Sequence, residues 1–120
     1  MPKIRVLVVD NQPRARQSMK ALLGVWYPGQ EICEAANGFE AVHLAEEFQP
    51  DIILMDVRMP KMNGLEAIRL IKAKWQPIKI VALSMYPDFK AEALAAGADA
   101  FVCKSDPPEI LRNTLAEQLH

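Results

Sequence analysis

Four short apolar runs in this chain each stop on a polar residue. Ile52-Ile53-Leu54-Met55 ends on Asp56, and Pro60 soon blocks any simple continuation. Lys3–Val9 ends on Asp10-Asn11, Ile78–Leu83 on Ser84, and Ala100–Cys103 on Lys104. Runs of this length and apolarity read as strands buried on both faces, as in a parallel sheet. The strands of such a sheet all point one way, so the four polar groups gather at one edge. That carboxyl edge is where open α/β sheets bind ligands. Two carboxylates, an amide, a hydroxyl and an ammonium together suit an oxyanion bound beside a hard cation.

The segments between the runs have helical period. Pro13 suits a first helical turn; Ala15, Met19, Leu22 and Leu23 share one face, with Arg14, Arg16 and Lys20 facing out. Gly24 and the Tyr27-Pro28-Gly29 turn are expected to end this helix. Glu31–Ala35 is a short strand. Asn37 is placed to cap a helix carrying Ala41, Leu44, Ala45 and Phe48, which stops before Pro50. After the loop Pro60–Gly64, a third helix carries Leu65, Ala67, Ile68, Ile71, Lys72 and Trp75. Asp88 is expected to cap a short fourth helix that Gly97 stops. Ser105 or Asp106 is expected to cap the last, with Pro107 at its start and Ile110, Leu111, Thr114 and Leu115 inward. Five strands alternating with five helices predict one domain, residues 1–120, with a parallel sheet covered on both faces.

Composition excludes several classes. A net charge of -1 gives no electrostatic reason for nucleic-acid or membrane-surface binding by these residues. No apolar stretch approaches the ~20 residues of a membrane span, and the amino terminus lacks the shape of a signal peptide. Cys33 and Cys103 lie in strand-like contexts and read as reduced core residues, which points to the cytoplasm.

Taken in order, Val8-Val9-Asp10, Asp56 with Met59-Pro60 and Asn63-Gly64, Leu83-Ser84, and Lys104 after Phe101 closely resemble the bacterial response-regulator receiver domain. The resemblance implies a flavodoxin-like (βα)5 fold with strand order 2-1-3-4-5. It implies phosphoryl transfer from a sensor histidine kinase onto Asp56 with Mg²⁺, held by Asp10, Asn11, Asp56 and the Arg58 backbone carbonyl. Lys104 would bind the phosphate, and Ser84 and Phe101 would be the switch pair. Such a domain catalyses only its own phosphorylation and dephosphorylation, and changes partner binding or dimerises in response. The Lys104–Glu109 stretch is similar to receivers of LuxR-type regulators, in which DNA is bound by a further, C-terminal domain.

The chemistry asks for these residue types. A carboxylate can form a covalent intermediate. Phosphoryl transfer is catalysed mostly by positioning and electrostatics, which a divalent ion on oxygen ligands and a lysine ammonium supply. Each residue also has a plainer reading: Asp56 as a turn former, Lys104 as a solvated lysine, Ser84 as a partner of its own backbone, Phe101 as core. Two departures from the family pattern stand out. Asn11 replaces the second of two adjacent acids, which is expected to weaken Mg²⁺ binding without abolishing phosphorylation. Ser105 replaces the proline common after the lysine, so a trans bond is expected there. Met85 and Arg58, by bulk alone, are expected to prolong the phosphorylated state. Two other classes stay open: a flavodoxin-like binder, disfavoured by the acidic, glycine-free loop after the first strand, and a pseudo-receiver that acts as an interaction module without phosphotransfer.

Overall fold

In the computed structural model, which describes residues 3–59 and 63–120, each apolar run is a strand. β1 (Arg5–Val9), β2 (Glu31–Ala35), β3 (Ile52–Asp56), β4 (Lys79–Ser84) and β5 (Ala100–Cys103) form one parallel sheet in the order β2-β1-β3-β4-β5. The helices are α1 (Pro13–Trp26), α2 (Gly38–Phe48), α3 (Gly64–Lys74), α4 (Lys90–Ala96) and α5 (Pro108–Leu119).

Strand residues alternate between two cores, as the pleat dictates. Leu7, Val9, Ile53, Met55, Ile80 and Ala82 face α2, α3 and α4, and pack on Ala41, Ala45, Ala67, Ile68, Ile71, Ala93 and Ala96. Val6, Val8, Ile52, Leu54, Val81, Leu83 and Val102 face α1 and α5, meeting Leu23, Leu111 and Leu115. The covering helices meet the sheet largely through alanine on one side and leucine on the other. The central strand β3 is buried at every position. This is the doubly wound arrangement expected from the alternation of elements.

The helix ends follow local chemistry where a cap is present. The Asn37 side chain accepts from the Glu40 backbone N–H at 3.0 Å, and the Glu40 carboxylate accepts from the Ala36 N–H at 2.9 Å, a reciprocal capping box. Asn63 caps α3 the same way, accepting from the Glu66 N–H at 2.9 Å. Gly97 ends α4 at φ 118°, a conformation open mainly to glycine.

α1 ends at the expected Tyr27-Pro28-Gly29 turn, running through the exposed Gly24 to Trp26 and closing where the Tyr27 N–H bonds the Leu23 carbonyl at 2.8 Å. Two expected caps are corrected. Asp88 lies inside a 3₁₀ turn, Pro87–Phe89, that leads into α4 and does not cap it. Neither Ser105 nor Asp106 caps α5: Pro107 occupies that position, and the Ser105 hydroxyl lies 3.1 Å from Cys103 Sγ. Ile110 is also largely exposed, so Leu111 and Leu115 are the buried α5 residues of the core, with Leu119 partly buried against it. Of the Pro60–Gly64 loop, Pro60, Lys61 and Met62 lie outside the described residues. No cis peptide bond occurs among the described residues, so Lys104–Ser105 is trans as expected.

Candidate functional site

The register brings the strand ends level. Val9 pairs with Met55, Asp56 with Leu83, and Ser84 with Cys103. Asp10, Asp56, Ser84 and Lys104 therefore emerge together at the carboxyl edge. Asp10, Asp56 and Ser84 are the buried polar side chains among the described residues, at 5%, 6% and 1% exposure.

Lys104 joins the two acids. Its ammonium donates to Asp10 Oδ2 at 2.6 Å and lies 3.3 Å from Asp56 Oδ2. The plainer reading of a solvated lysine does not hold here. The other carboxylate oxygens are used locally: Asp10 Oδ1 accepts from the Gln12 N–H at 2.9 Å, and Asp56 Oδ1 from the Arg58 N–H at 3.2 Å. Both are Asx turns, which fold the loops over the strand ends.

Burial raises the Asp56 carboxyl above its ordinary pKa; the Lys104 charge pulls it back, Asp10 pushes it further, and the Arg58 N–H again lowers it. For Lys104 burial acts downward, but the bond to Asp10 and the charges of Asp56 and Asp10 outweigh it and hold the ammonium above its ordinary value. Two carboxylates against one ammonium leave the cluster negative. That imbalance, in a site made of oxygen atoms, fits a hard divalent cation. Among the described residues no third Asp, Glu, His or Cys joins the pair. Further ligands there would be neutral oxygens, for which the Asn11 amide and the Arg58 carbonyl lie on the two flanking loops, plus waters.

Beside the acids is a cavity of about 290 Å³ lined by Asp56, Arg58, Ser84, Met85, Tyr86 and Lys104. Its size suits a small oxyanion. The Ser84 hydroxyl is occupied as an acceptor, taking the Tyr86 N–H at 3.0 Å, so in this state it partners its own backbone. The exposed Arg58 guanidinium lies over the Tyr86 ring at 5.2 Å and the Phe89 ring at 6.0 Å. Phe101 and Phe89 are each half-buried and pack against the core under α3 and α4. It is core in this state, as its plainer reading has it.

Arg16 was not singled out from the sequence except as an outward charge, yet it reaches the site. It donates to the Asp10 carbonyl at 2.6 Å. Its only sequence signal is a position one turn into the helix that follows Asp10.

Residues 6–116 match the family described as Response regulator receiver domain. The chain belongs to the response-regulator receiver family. It is 40% identical over 112 residues to the transcriptional regulatory protein YdfI of Bacillus subtilis, covering 92% of this chain and 53% of that protein. Among solved structures it resembles a LuxR-family two-component response regulator from Aurantimonas sp. SI85-9A1, with TM-score 0.90 and 32% identity over 98% of this chain and 86% of that one. It also resembles the receiver domain of the sensor histidine kinase PA1611 from Pseudomonas aeruginosa, solved with a magnesium ion in its active-site cleft: TM-score 0.86, 27% identity, 98% of each chain. The chain spans about half the length of the curated relatives it matches. Receiver domains are signalling modules, and no described helix is long and apolar enough to cross a membrane.

Proposed function

We propose that residues 1–120 form one receiver domain that works as a phosphorylation-driven switch, with Asp56 as the acceptor. The observation that carries this reading is the Lys104 bridge between Asp10 and Asp56 at the carboxyl edge. In the transfer, an Asp56 carboxylate oxygen forms the new P–O bond as the P–N bond of a kinase phosphohistidine breaks; the imidazole leaves and takes its proton from solvent. Lys104 exchanges its 3.3 Å contact with Asp56 for a phosphoryl oxygen while keeping Asp10. Asp10, Asp56, the Asn11 amide and the Arg58 carbonyl would hold Mg²⁺, which would supply positive charge to the phosphoryl oxygens. Asn11 makes that set less negative than one with a second acid.

Ser84 then releases the Tyr86 N–H and donates to the phosphoryl group. The loop after β4 moves with it, and Phe101 repacks on the neighbouring strand. Met85 and Arg58, at the mouth of the cavity, slow the approach of an attacking water and prolong the phosphorylated state. On this reading the protein works in the cytoplasm, and its partners are a sensor histidine kinase and, on phosphorylation, a second copy. DNA would be bound through a further domain, as the names of the longer relatives suggest.

The test is intact mass after incubation with acetyl phosphate and Mg²⁺. Gain of one labile phosphoryl group, absent in Asp56→Asn, supports the proposal. A wild-type chain that gains none under any Mg²⁺ concentration is a pseudo-receiver, the reading that Asn11 keeps in play.

A further inference from the structure

Every polar atom of Asp10 has a partner, and each partner comes from a different place. Its N–H donates to the Ala35 carbonyl of β2 at 3.1 Å. Its carboxylate takes Gln12 N–H and Lys104. Its carbonyl takes the Arg16 guanidinium at 2.6 Å. That carbonyl belongs to the peptide joining Asp10 to Asn11. Holding its oxygen fixes the peptide plane, and with it the direction in which the chain leaves toward Asn11.

Arg16 is itself held. Its Nε donates to Glu34 Oε1 at 3.0 Å, and Lys20 occupies the second oxygen, Oε2, at 3.0 Å. Lys20 and then Arg16 keep the Glu34 carboxyl below its ordinary pKa, so Glu34 stays charged across the neutral range. The Arg16 side chain is 17% exposed, and its planar fork spans two acceptors on different elements. An exposed ion pair contributes little by itself. A guanidinium fastened at one end, with its other end on the backbone of the acidic turn, acts as a strut.

We propose that Arg16 is a positioning residue for the metal site: anchored on Glu34, it fixes the Asp10–Asn11 peptide and so aims the Asp10 carboxylate and the Asn11 amide. The proposal rests on the switch reading above for the metal, and on the geometry for the strut. Its weight is greater here than where a second acid follows the first strand, since an amide attracts the cation less and depends more on being correctly placed.

The experiment compares Arg16→Met with Lys20→Met. Both remove a partner of Glu34, but only the first releases the Asp10 carbonyl. Arg16→Met is expected to raise the Mg²⁺ concentration for half-maximal phosphorylation about tenfold, the size usual for groups that orient metal ligands. Its rate at saturating Mg²⁺ stays close to that of the parent, and Lys20→Met moves neither quantity. In metal-free protein, amide exchange at Gln12, whose N–H is bonded to Asp10 Oδ1, speeds up in Arg16→Met alone. An unchanged Mg²⁺ requirement in Arg16→Met, or an equal rise in Lys20→Met, overturns the proposal. A parent that neither binds Mg²⁺ nor accepts phosphate sinks the switch reading instead, and Gln12 exchange then decides whether Arg16 holds the turn.

Discussion

A carboxylate buried beside a second carboxylate carries a penalty that protonation removes. The Asp56 pKa is raised by burial first, so the folded state holds that proton more tightly than the unfolded chain does. The penalty is therefore absent below the ordinary carboxylate range and complete above the folded pKa. Asp56→Asn is expected to melt higher than wild type at neutral pH without Mg²⁺, and the difference should close as pH falls below that range. Mg²⁺ should raise the melting temperature of wild type more than that of the variant, since it binds the folded state. Thermal melts of both proteins across pH, with and without Mg²⁺, check this; a variant less stable than wild type at neutral pH would contradict it. The four groups of this cluster were legible in sequence because an apolar run stops on each. Arg16 was not, because a charge on a helix face looks the same whether it meets water or the backbone of a neighbouring turn.

At the scale of elements, β3 and α3 are closer than their sequence suggests. A Cβ on Gly64 would collide with the Asp56 carbonyl oxygen and lie 2.7 Å from Val57 Cα. The start of α3 is therefore set directly on the strand end that carries Asp56, with the Gly64 N–H donating to the Val57 carbonyl at 3.0 Å. Gly64→Ala should cost about 1–3 kcal/mol from overpacking and also slow phosphorylation, because backbone has to yield. Asn63→Ala, which removes only the cap, should cost about 1 kcal/mol. Denaturant melts and phosphorylation rates of both are the measurement; equal rates in the two variants would mean that the contact does not place Asp56. Asn63-Gly64 was readable as a motif, and Asn63 as a cap has a local signature. The close approach has none, since glycine in sequence does not say what lies against it. Gly24 does not stop α1 ahead of the Tyr27-Pro28-Gly29 turn for a related reason: an exposed glycine weakens a helix by roughly 1 kcal/mol, and the Trp26 packing on the α1–α5 core outweighs it.

A longer-range example is Lys72, read from sequence as part of an apolar helix face. Its ammonium donates to the Gln76 carbonyl at 3.1 Å, the Ile78 carbonyl at 2.8 Å and Asp99 Oδ2 at 2.8 Å, and Asp99 also accepts from the Ile80 N–H. One side chain thus ties the end of α3 to the starts of β4 and β5. Lys72→Met keeps the stem and removes the charge, and should cost about 2–3 kcal/mol by leaving acceptors short of a donor. The double variant with Asp99→Asn should lose less than the sum of the two single losses, as measured by urea unfolding.

For the molecule as a whole, the question is how an event at Asp56 reaches a distant surface. On the switch reading the parallel sheet would be the route, because Ser84 and Phe101 lie on adjacent strands, with Ser84 level with Cys103 and Ala82 level with Phe101. Ser84 is tied to the Tyr86 N–H, and Phe101 packs against the same core as Phe89, the last residue of the turn into α4. Any inward movement of Ser84 has to carry Met85 and Tyr86, and so disturbs the turn on which Phe89 sits. A ligand shifts such an equilibrium only by the difference in its affinity for the two states. On the proposed reading, beryllofluoride on Asp56 would supply that difference through new bonds to Ser84 and Lys104 that the resting state lacks. Hydrogen exchange should then change along 84–101 while β1 and β2 away from the site stay as they were. The exposed Met85, Tyr86 and Leu94 lie in the affected stretch, so self-association should rise with the same treatment. Ser84→Ala should still take beryllofluoride but lose most of the exchange change. A response in Ser84→Ala equal to that of wild type would remove Ser84 from the route and leave Lys104 as the only link between the phosphoryl site and the rest of the domain.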